Sequence, residues 1–304
     1  MTAPRCPLCN SATTRSLGRI PDGDFFAGRV LPAPLPGGRL WRCQPCESLF
    51  RWPVASAAEY GRLYQQGRAE QWSTQRARHD FPLIAAVLVR SAARTVLDVG
   101  CGSGEFLMGV PADIGRFGVE PSAAAAAVAA GRGITVLGQD LSQVGAERSF
   151  DAIVAIDVIE HLVDPNRMLD EAWVRLSDGG RLLISTGDPQ CRAWRSLFGA
   201  RFWYASFPEH LVFPSGRYLA QWAARRGATL ESCTGFNYQD AGPFSRLAGF
   251  IMQCAYAASP AVFNAVGRAL VPPRGETAAG RRCHSPGIPG TFRDHQLIVL
   301  RKAG

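Results

Sequence analysis

Two cysteine pairs and one glycine-rich turn carry the residue types most able to do chemistry. Cys6-Pro7-Leu8-Cys9 and Cys43-Gln44-Pro45-Cys46 share the spacing C-x-x-C. Each short turn can aim two thiolates at one ion, and two turns together complete a tetrahedral site. With Cys6, Cys9, Cys43 and Cys46 filling all four positions, none is left for water, so the expected ion is a structural Zn2+. A redox role is disfavoured because neither pair opens a helix after a strand. The other cysteines, Cys101, Cys191, Cys233, Cys254 and Cys283, are scattered. The sequence opens Met-Thr-Ala-Pro-Arg without a basic-then-apolar leader, so reduced thiols and a cytoplasmic location are expected.

The second feature is Val96-Leu97-Asp98-Val99-Gly100-Cys101-Gly102-Ser103-Gly104, an apolar run entering a turn poor in side chains. Gly100, Gly102 and Gly104 let backbone pass close to a ligand at the carboxyl edge of a strand. The spacing G-x-G-x-G is not the dinucleotide pattern, since Glu105 and Phe106 follow. Asp98 just before the turn would repel a pyrophosphate but could hold an ammonium group. Glu120, in Gly118-Val119-Glu120-Pro121, ends the next strand and can accept hydrogen bonds from both hydroxyls of a ribose. Together these residues call for a nucleoside that carries an amino acid. Turn or cap duty is the structural alternative for Asp98, Glu120 and Asp140.

The runs VLDVGCGSGEFL, GVEPS, GQDL and FDAIVAIDVIEHLVDP, spanning about Thr95 to Ser185, resemble the successive motifs of class I S-adenosylmethionine-dependent methyltransferases. The resemblance implies S-adenosylmethionine as cofactor, with Gly100, Gly102 and Gly104 along its methionine part and Glu120 on the ribose. It implies that Asp140 faces the adenine amino group with Leu141 beside it, and that Asp157 sits by the methionine end. Cys101 fills the variable slot of the same cofactor-contacting loop, with no chemistry assigned to it.

A sulfonium methyl is already electrophilic, so the protein must mainly align a nucleophile and exclude water. Hydroxyl or carbon acceptors also need a base. The candidates are His161, in Ile159-Glu160-His161-Leu162, and His210, in Pro208-Glu209-His210-Leu211. A hydrogen-bonding or packing histidine is the alternative for each. The second segment is similar to an E-H-L stretch of zinc-bearing sugar C-methyltransferases. In those a histidine or tyrosine precedes the pair, whereas Phe207 and Pro208 stand here. The C-P-L-C start also resembles a ribosomal-RNA guanine methyltransferase, whose second ligand pair comes sooner and includes a histidine. Phe25, Phe26 and Trp41 between the knuckles can cover an acceptor or pack a mini-core.

Strand-like runs at Thr95–Val99, Phe117–Glu120, Thr135–Leu137, Ala152–Ile156, Arg181–Ser185, Thr229–Thr234 and His295–Leu300 alternate with helical stretches such as Ser122–Ala130 and Pro165–Leu176. That alternation predicts an α/β fold, a doubly wound, mostly parallel seven-stranded sheet of the Rossmann-like methyltransferase kind. Residues 1–54 read as a zinc-binding module of short strands, 55–93 as a helical connector, and 94–304 as the cofactor-binding domain with an insertion at about 241–290. Leu247 to Gly267 holds no charged residue and breaks at Pro260. This reads as two short helices forming a lid, a homodimer surface, or an interfacial membrane contact flanked by Arg274, Arg281 and Arg282.

The net charge of +8 rests almost wholly on arginine, with Lys302 the lone lysine and no dense basic run, so nucleic acid is not the favoured partner. The leading expectation is methyl transfer to a hydroxyl or carbon of a small-molecule acceptor, a sugar or nucleotide-sugar. Three alternatives stay open: an RNA methyltransferase gripping RNA with the zinc module, a membrane-surface lipid or quinone methyltransferase, and a non-catalytic cofactor-binding assembly protein.

Overall fold

Residues 3–54 are interrupted by Pro, Gly and Cys too often for a helix, and they fold as short strands and turns. The computed structural model describes residues 3–65, 78–239, 241–270 and 290–304. Its first elements are β1 (Thr14–Arg19), β2 (Gly23–Phe26), β3 (Arg29–Leu35), β4 (Arg39–Cys43) and β5 (Leu49–Trp52), then helices α1 (Ala57–Gln65) and α2 (Asp80–Arg90). The alternating part runs β6 (Thr95–Val99), α3 (Glu105–Met108), β7 (Gly115–Val119), α4 (Ala123–Gly131), β8 (Thr135–Gly138), β9 (Phe150–Ile156), α5 (Pro165–Val174) and β10 (Leu176–Gly187). Then come β11 (Val212–Phe213), α6 (Gly216–Ala224), β12 (Thr229–Phe236), α7 (Pro243–Ala258), α8 (Pro260–Leu270) and β13 (His295–Arg301).

These elements form two compact units, residues 1–77, 188–215 and 237–294 in one, and 78–187, 216–236 and 295–304 in the other. The second holds the seven-stranded sheet, in the order β12-β13-β10-β9-β6-β7-β8. Strands β10, β9, β6, β7 and β8 run parallel, and β13 is antiparallel to both β10 and β12. The predicted doubly wound sheet is therefore present. Its apolar strands pack on α2 and the residues around α3, with Ile84, Leu88, Val96, Leu107, Val154 and Leu183 in one core. Helix starts follow from local chemistry. The Ser122 hydroxyl accepts from the Ala125 amide ahead of an alanine run, and Asp164 caps α5 with Pro165 in the first turn. Strand order reverses beside β6, which places a crevice at the carboxyl ends of β6 and its neighbours.

The other unit is not contiguous in sequence. Its main sheet has the order β1-β4-β5-β11, so a strand from after residue 200 completes a sheet begun by the cysteine-bearing segment. Val212 pairs with Phe50 and Phe213 with Leu49. Irregular turns at 193–206 supply Trp194, Phe202, Trp203 and Tyr204 to a core shared with Ile20, Leu40 and Leu49. Phe25, Phe26 and Trp41 are buried, as residues of a mini-core are.

The linear division into 1–54, 55–93 and 94–304 thus differs from the observed one. Helices α1 and α2 fall in different units, and 188–215 and 237–294 close with the N-terminus. The two helices expected in the insertion, broken at Pro260, are present as α7 and α8. Arg274, Arg281, Arg282 and Cys283 lie outside the described residues. Among the described residues no helix is long and apolar enough to cross a membrane.

Candidate active site

Strand β6 buries Val96 and Leu97 completely and carries Asp98, itself buried, to the rim of the crevice. The chain then turns through Gly100 (φ +72°), Gly102 (φ +55°) and Gly104 (φ +88°), all in the left-handed region. The amides of Gly100 and Cys101 donate to the Val119 carbonyl at 2.9 and 3.1 Å, tying the turn to the end of β7. Glu120 clamps the same turn, with Oε2 accepting from the Gly102 amide at 2.9 Å and Oε1 from the Ser122 amide at 2.8 Å. A side chain at Gly104 would come 2.1 Å from Ile134 Cδ1, whereas one at Gly102 would meet nothing nearer than 3.6 Å. Gly104 serves packing. Gly102 has room for a Cβ at ordinary contact distance.

The electrostatics of this crevice ask for a cation. Burial, reinforced by the charge of Glu120, pushes the Asp98 carboxyl well above the usual carboxylate range. Burial likewise raises Glu120. Among the described residues, Asp98 Oδ1 is buried without a hydrogen-bond partner, and so is Asp157 Oδ1 just past the adjacent strand β9. Buried acceptors left this way call for a donor from elsewhere, and an ammonium group supplies one. Asp157 adopts φ +51°, its amide donating to the Ser185 carbonyl at 2.9 Å.

Two residues here went unread in the sequence. Arg78 Nη1 lies 2.9 Å from Asp157 Oδ2, while its Nε and Nη2 bond Asp80 at 3.0 and 2.6 Å. Asp80 is fully buried at the start of α2 and also accepts from Ser185 Oγ at 2.8 Å. Burial alone would raise Asp80, but the bonds and charge of Arg78 overcome it and hold the carboxyl below its usual range. The available signal was a charged Arg-His-Asp stretch entering an apolar helix.

Other predicted cofactor residues behave differently. Asp140 caps the turn that follows it, its Oδ1 accepting from the Ser142 amide at 2.8 Å, so the capping alternative describes at least that oxygen. Leu141 is buried beside it. Cys101 turns its side chain inward, where a Cβ on Gly118 would lie 2.5 Å from its sulfur. Its thiol pKa is raised by that burial. Its amide joins the turn's hydrogen bonding, and its thiol reaches the neighbouring Gly102 carbonyl, at 3.7 Å.

A sequence profile described as a methyltransferase domain matches residues 64–232, more than half of the chain. The chain belongs to this methyltransferase family. Curated relatives include the ubiquinone biosynthesis O-methyltransferase of Coxiella burnetii, 30% identical over 47% of this chain and 67% of that protein. The enzyme of the same name from Xanthomonas axonopodis is 28% identical over 58% of this chain and 80% of its own length. Among solved structures, the YcgJ protein of Bacillus subtilis superposes with a TM-score of 0.48 at 16% identity, covering 74% of this chain and 99% of that one. S-adenosylmethionine is the methyl donor of such an enzyme, and the profile begins after the four-cysteine segment.

In this methyltransferase the two candidate histidines sit in different units. His161 ends a single helical turn just past β9, half-buried, its amide donating to the Val158 carbonyl at 3.0 Å. His210 is buried, ringed by Tyr204, Phe207 and Phe213 at centroid distances of 4.3, 5.0 and 6.3 Å. Its Nδ1 lies 2.7 Å from the Tyr204 carbonyl. A carbonyl only accepts, so Nδ1 is the nitrogen that carries a proton.

The four cysteines of the methyltransferase's N-terminal segment come together. All four sulfurs lie within 4.8 Å of one another, with Cys6 to Cys46 at 3.8 Å and Cys9 to Cys43 at 3.4 Å. A tetrahedral ion with metal–sulfur bonds of ~2.3 Å would set the sulfurs ~3.8 Å apart. Asn10 and Glu47, following the second cysteine of each pair, have φ +59° and +61°, so both turns curl alike. A hydrogen bond from Cys6 foremost holds Cys46 at about 5, while burial pushes Cys43 up to about 12. These residues could hold a metal.

Proposed function

We propose that this methyltransferase transfers the methyl group of S-adenosylmethionine to a hydroxyl on a small, quinone-type aromatic ring. The observation that carries the donor half is the pair of buried, unpartnered carboxylate oxygens on Asp98 and Asp157 beside the glycine turn. Asp98 and Asp157 would accept from the donor's ammonium, Gly100, Gly102 and Gly104 would flank its methionine portion, and Glu120 would hold the ribose hydroxyls. Leu141 would lie against the adenine, with Asp140 at its amino group and Cys101 contributing backbone alone. Arg78 would complement the donor's carboxylate through charge. Bound S-adenosylmethionine supplies an electrophilic methyl. The chain's part is to align the acceptor oxygen, exclude water and take the hydroxyl proton. His210 is the proposed base, and His161 would shape the turn beyond β9. Cys6, Cys9, Cys43 and Cys46 would hold a structural Zn2+.

Two observations favour a quinone-type ring over a sugar as the acceptor. One is the name shared by the relatives. The other is α7, whose Gly249, Gln253 and Tyr256 are buried while Phe244 (88% exposed), Leu247 and Ile251 stand in solvent, with Val262 and Val266 exposed on α8. From Pro243 to Arg274 the sequence holds no carboxylate. An apolar stripe free of acid suits an anionic bilayer, where quinone-type acceptors reside.

Incubation with methyl-labelled S-adenosylmethionine tests the reading. Catechol, a short-chain ubiquinol, UDP-glucose and ribosomal RNA would be offered separately and the products weighed. Expected is one methyl in place of one hydroxyl hydrogen on an aromatic acceptor. Label in UDP-glucose or in RNA, with none in the ring compounds, would refute it.

A further inference from the structure

Arg51, at the third position of β5, is 3% exposed and lies within the unit that holds the cysteines. A buried guanidinium is costly unless its donors are engaged. Among the described residues, they are engaged by backbone carbonyls. Nε donates to the His210 carbonyl at 3.2 Å, Nη1 to the Gly37 carbonyl at 3.0 Å, and Nη2 to the carbonyls of Ala205 and Phe207 at 2.8 and 2.7 Å. The Arg51 amide adds a fifth bond, to the Leu211 carbonyl at 2.8 Å. Three of the four carbonyls bound by the side chain belong to residues 205–210, the short loop that carries His210.

The same loop is anchored further along. Val212 and Phe213 pair with β5 directly after the Arg51 bonds. Ser215 then donates its hydroxyl to the Cys46 carbonyl, and its amide bonds Ser48 Oγ at 3.0 Å. Cys43 in turn donates its amide to the Ser48 carbonyl at 3.0 Å. Covalent and hydrogen-bonded links therefore run from the cysteine turns through β5 to the loop of His210. An apolar residue of similar size would fill the volume of Arg51 but could not pair with four carbonyls. A lysine has the charge but only one nitrogen. What the arginine supplies is the shape of the loop.

We propose that Arg51 is the positioning residue for His210, its guanidinium spread over the carbonyls of Gly37, Ala205, Phe207 and His210 so that the cysteine-bearing fold sets the place of the imidazole. This rests on His210 being the base, and the test separates the two ideas. Arg51→Lys, His210→Ala and the double variant would be compared, with zinc content, S-adenosylhomocysteine affinity and amide exchange measured beside methyl transfer to catechol.

Arg51→Lys should keep its metal and its cofactor affinity. It should speed exchange at the Ala205 and His210 amides, which donate to Phe202 and Phe207. It should lower kcat by about tenfold or more, and cost nothing further once His210 is alanine. Unchanged exchange at 205–210 would overturn the proposal, as would an equal loss with and without His210. If His210→Ala transfers methyl at the wild-type rate, or catechol is not methylated, the base reading stands or falls apart from this one, and the exchange data alone decide whether Arg51 sets the loop. Should Arg51→Lys not fold, chelation of the wild-type protein serves. Exchange at 205–210 rising together with exchange at 40–52 supports the link, and a loop indifferent to chelation removes it.

Discussion

Asp98 is where stability and binding oppose each other most directly. An acid whose folded pKa lies above its unfolded value favours the folded state while protonated, and that contribution is lost as pH rises from the ordinary carboxylate range through the folded pKa. The cofactor-free enzyme should therefore carry an unrelieved buried acid at neutral pH. Asp98→Asn should raise the melting temperature of the free protein near pH 7 while weakening S-adenosylhomocysteine by about 10- to 100-fold, the worth of a charged hydrogen bond of roughly 1.5–3 kcal/mol. Scanning and titration calorimetry on one preparation measure both, and undiminished affinity would count against the assignment. The turn allows a finer contrast. Gly104→Ala meets Ile134 and a φ of +88°, so overpacking of about 1–3 kcal/mol should lower the unfolding midpoint. Gly102→Ala meets Glu105 only at an ordinary 3.6 Å, at φ +55°, and should cost about 1–2 kcal/mol in stability while losing cofactor affinity. These residues were legible in the sequence because a glycine turn between a strand and an acid is local. Arg78 and Asp80 were not, since their meaning comes from Ser185 and Asp157, far along the chain.

The inner strands of the mostly parallel sheet were readable because buried strands are continuous apolar runs, and the bounds of all seven strands moved by no more than five residues on folding. The stretch from 193 to 206 has no such signature. Its aromatic residues follow neither a period of two nor of 3.6, and irregular turns satisfy a core that only the N-terminal strands complete. Strand β11, two residues long, is invisible for the same reason. Helices α7 and α8 were visible, yet which side they would bury was not. Their exposed stripe leads to a direct expectation. The protein should sediment with vesicles containing phosphatidylglycerol and not with pure phosphatidylcholine, with binding weakened by salt. Leu247→Glu with Ile251→Glu should abolish that sedimentation while cofactor affinity persists. Equal binding by the double variant would mean that the stripe faces something else, such as a second copy of the chain.

At the scale of the whole molecule, the chain passes between its two units at 77/78, 187/188, 215/216, 236/237 and 294/295. Sequence order could not show this, because a unit assembled from three segments has no composition boundary of its own. Each unit nevertheless has its own core, one around the parallel sheet and one around Trp194 and Phe202. The four cysteines belong wholly to the latter. If they hold zinc, the metal stabilises one unit by mass action and leaves the cofactor crevice, built from 78–187, its full set of bonds. A strong chelator should then split calorimetric unfolding into two transitions, the lower one absent in the metal-replete protein. S-adenosylhomocysteine should still bind the chelated protein within a few-fold of its original affinity, while Cys43→Ser with Cys46→Ser should reproduce the chelated state without chelator. Loss of cofactor binding in step with loss of metal would show that the two units fold as one, and stoichiometric zinc in the double serine variant would end the four-thiolate assignment.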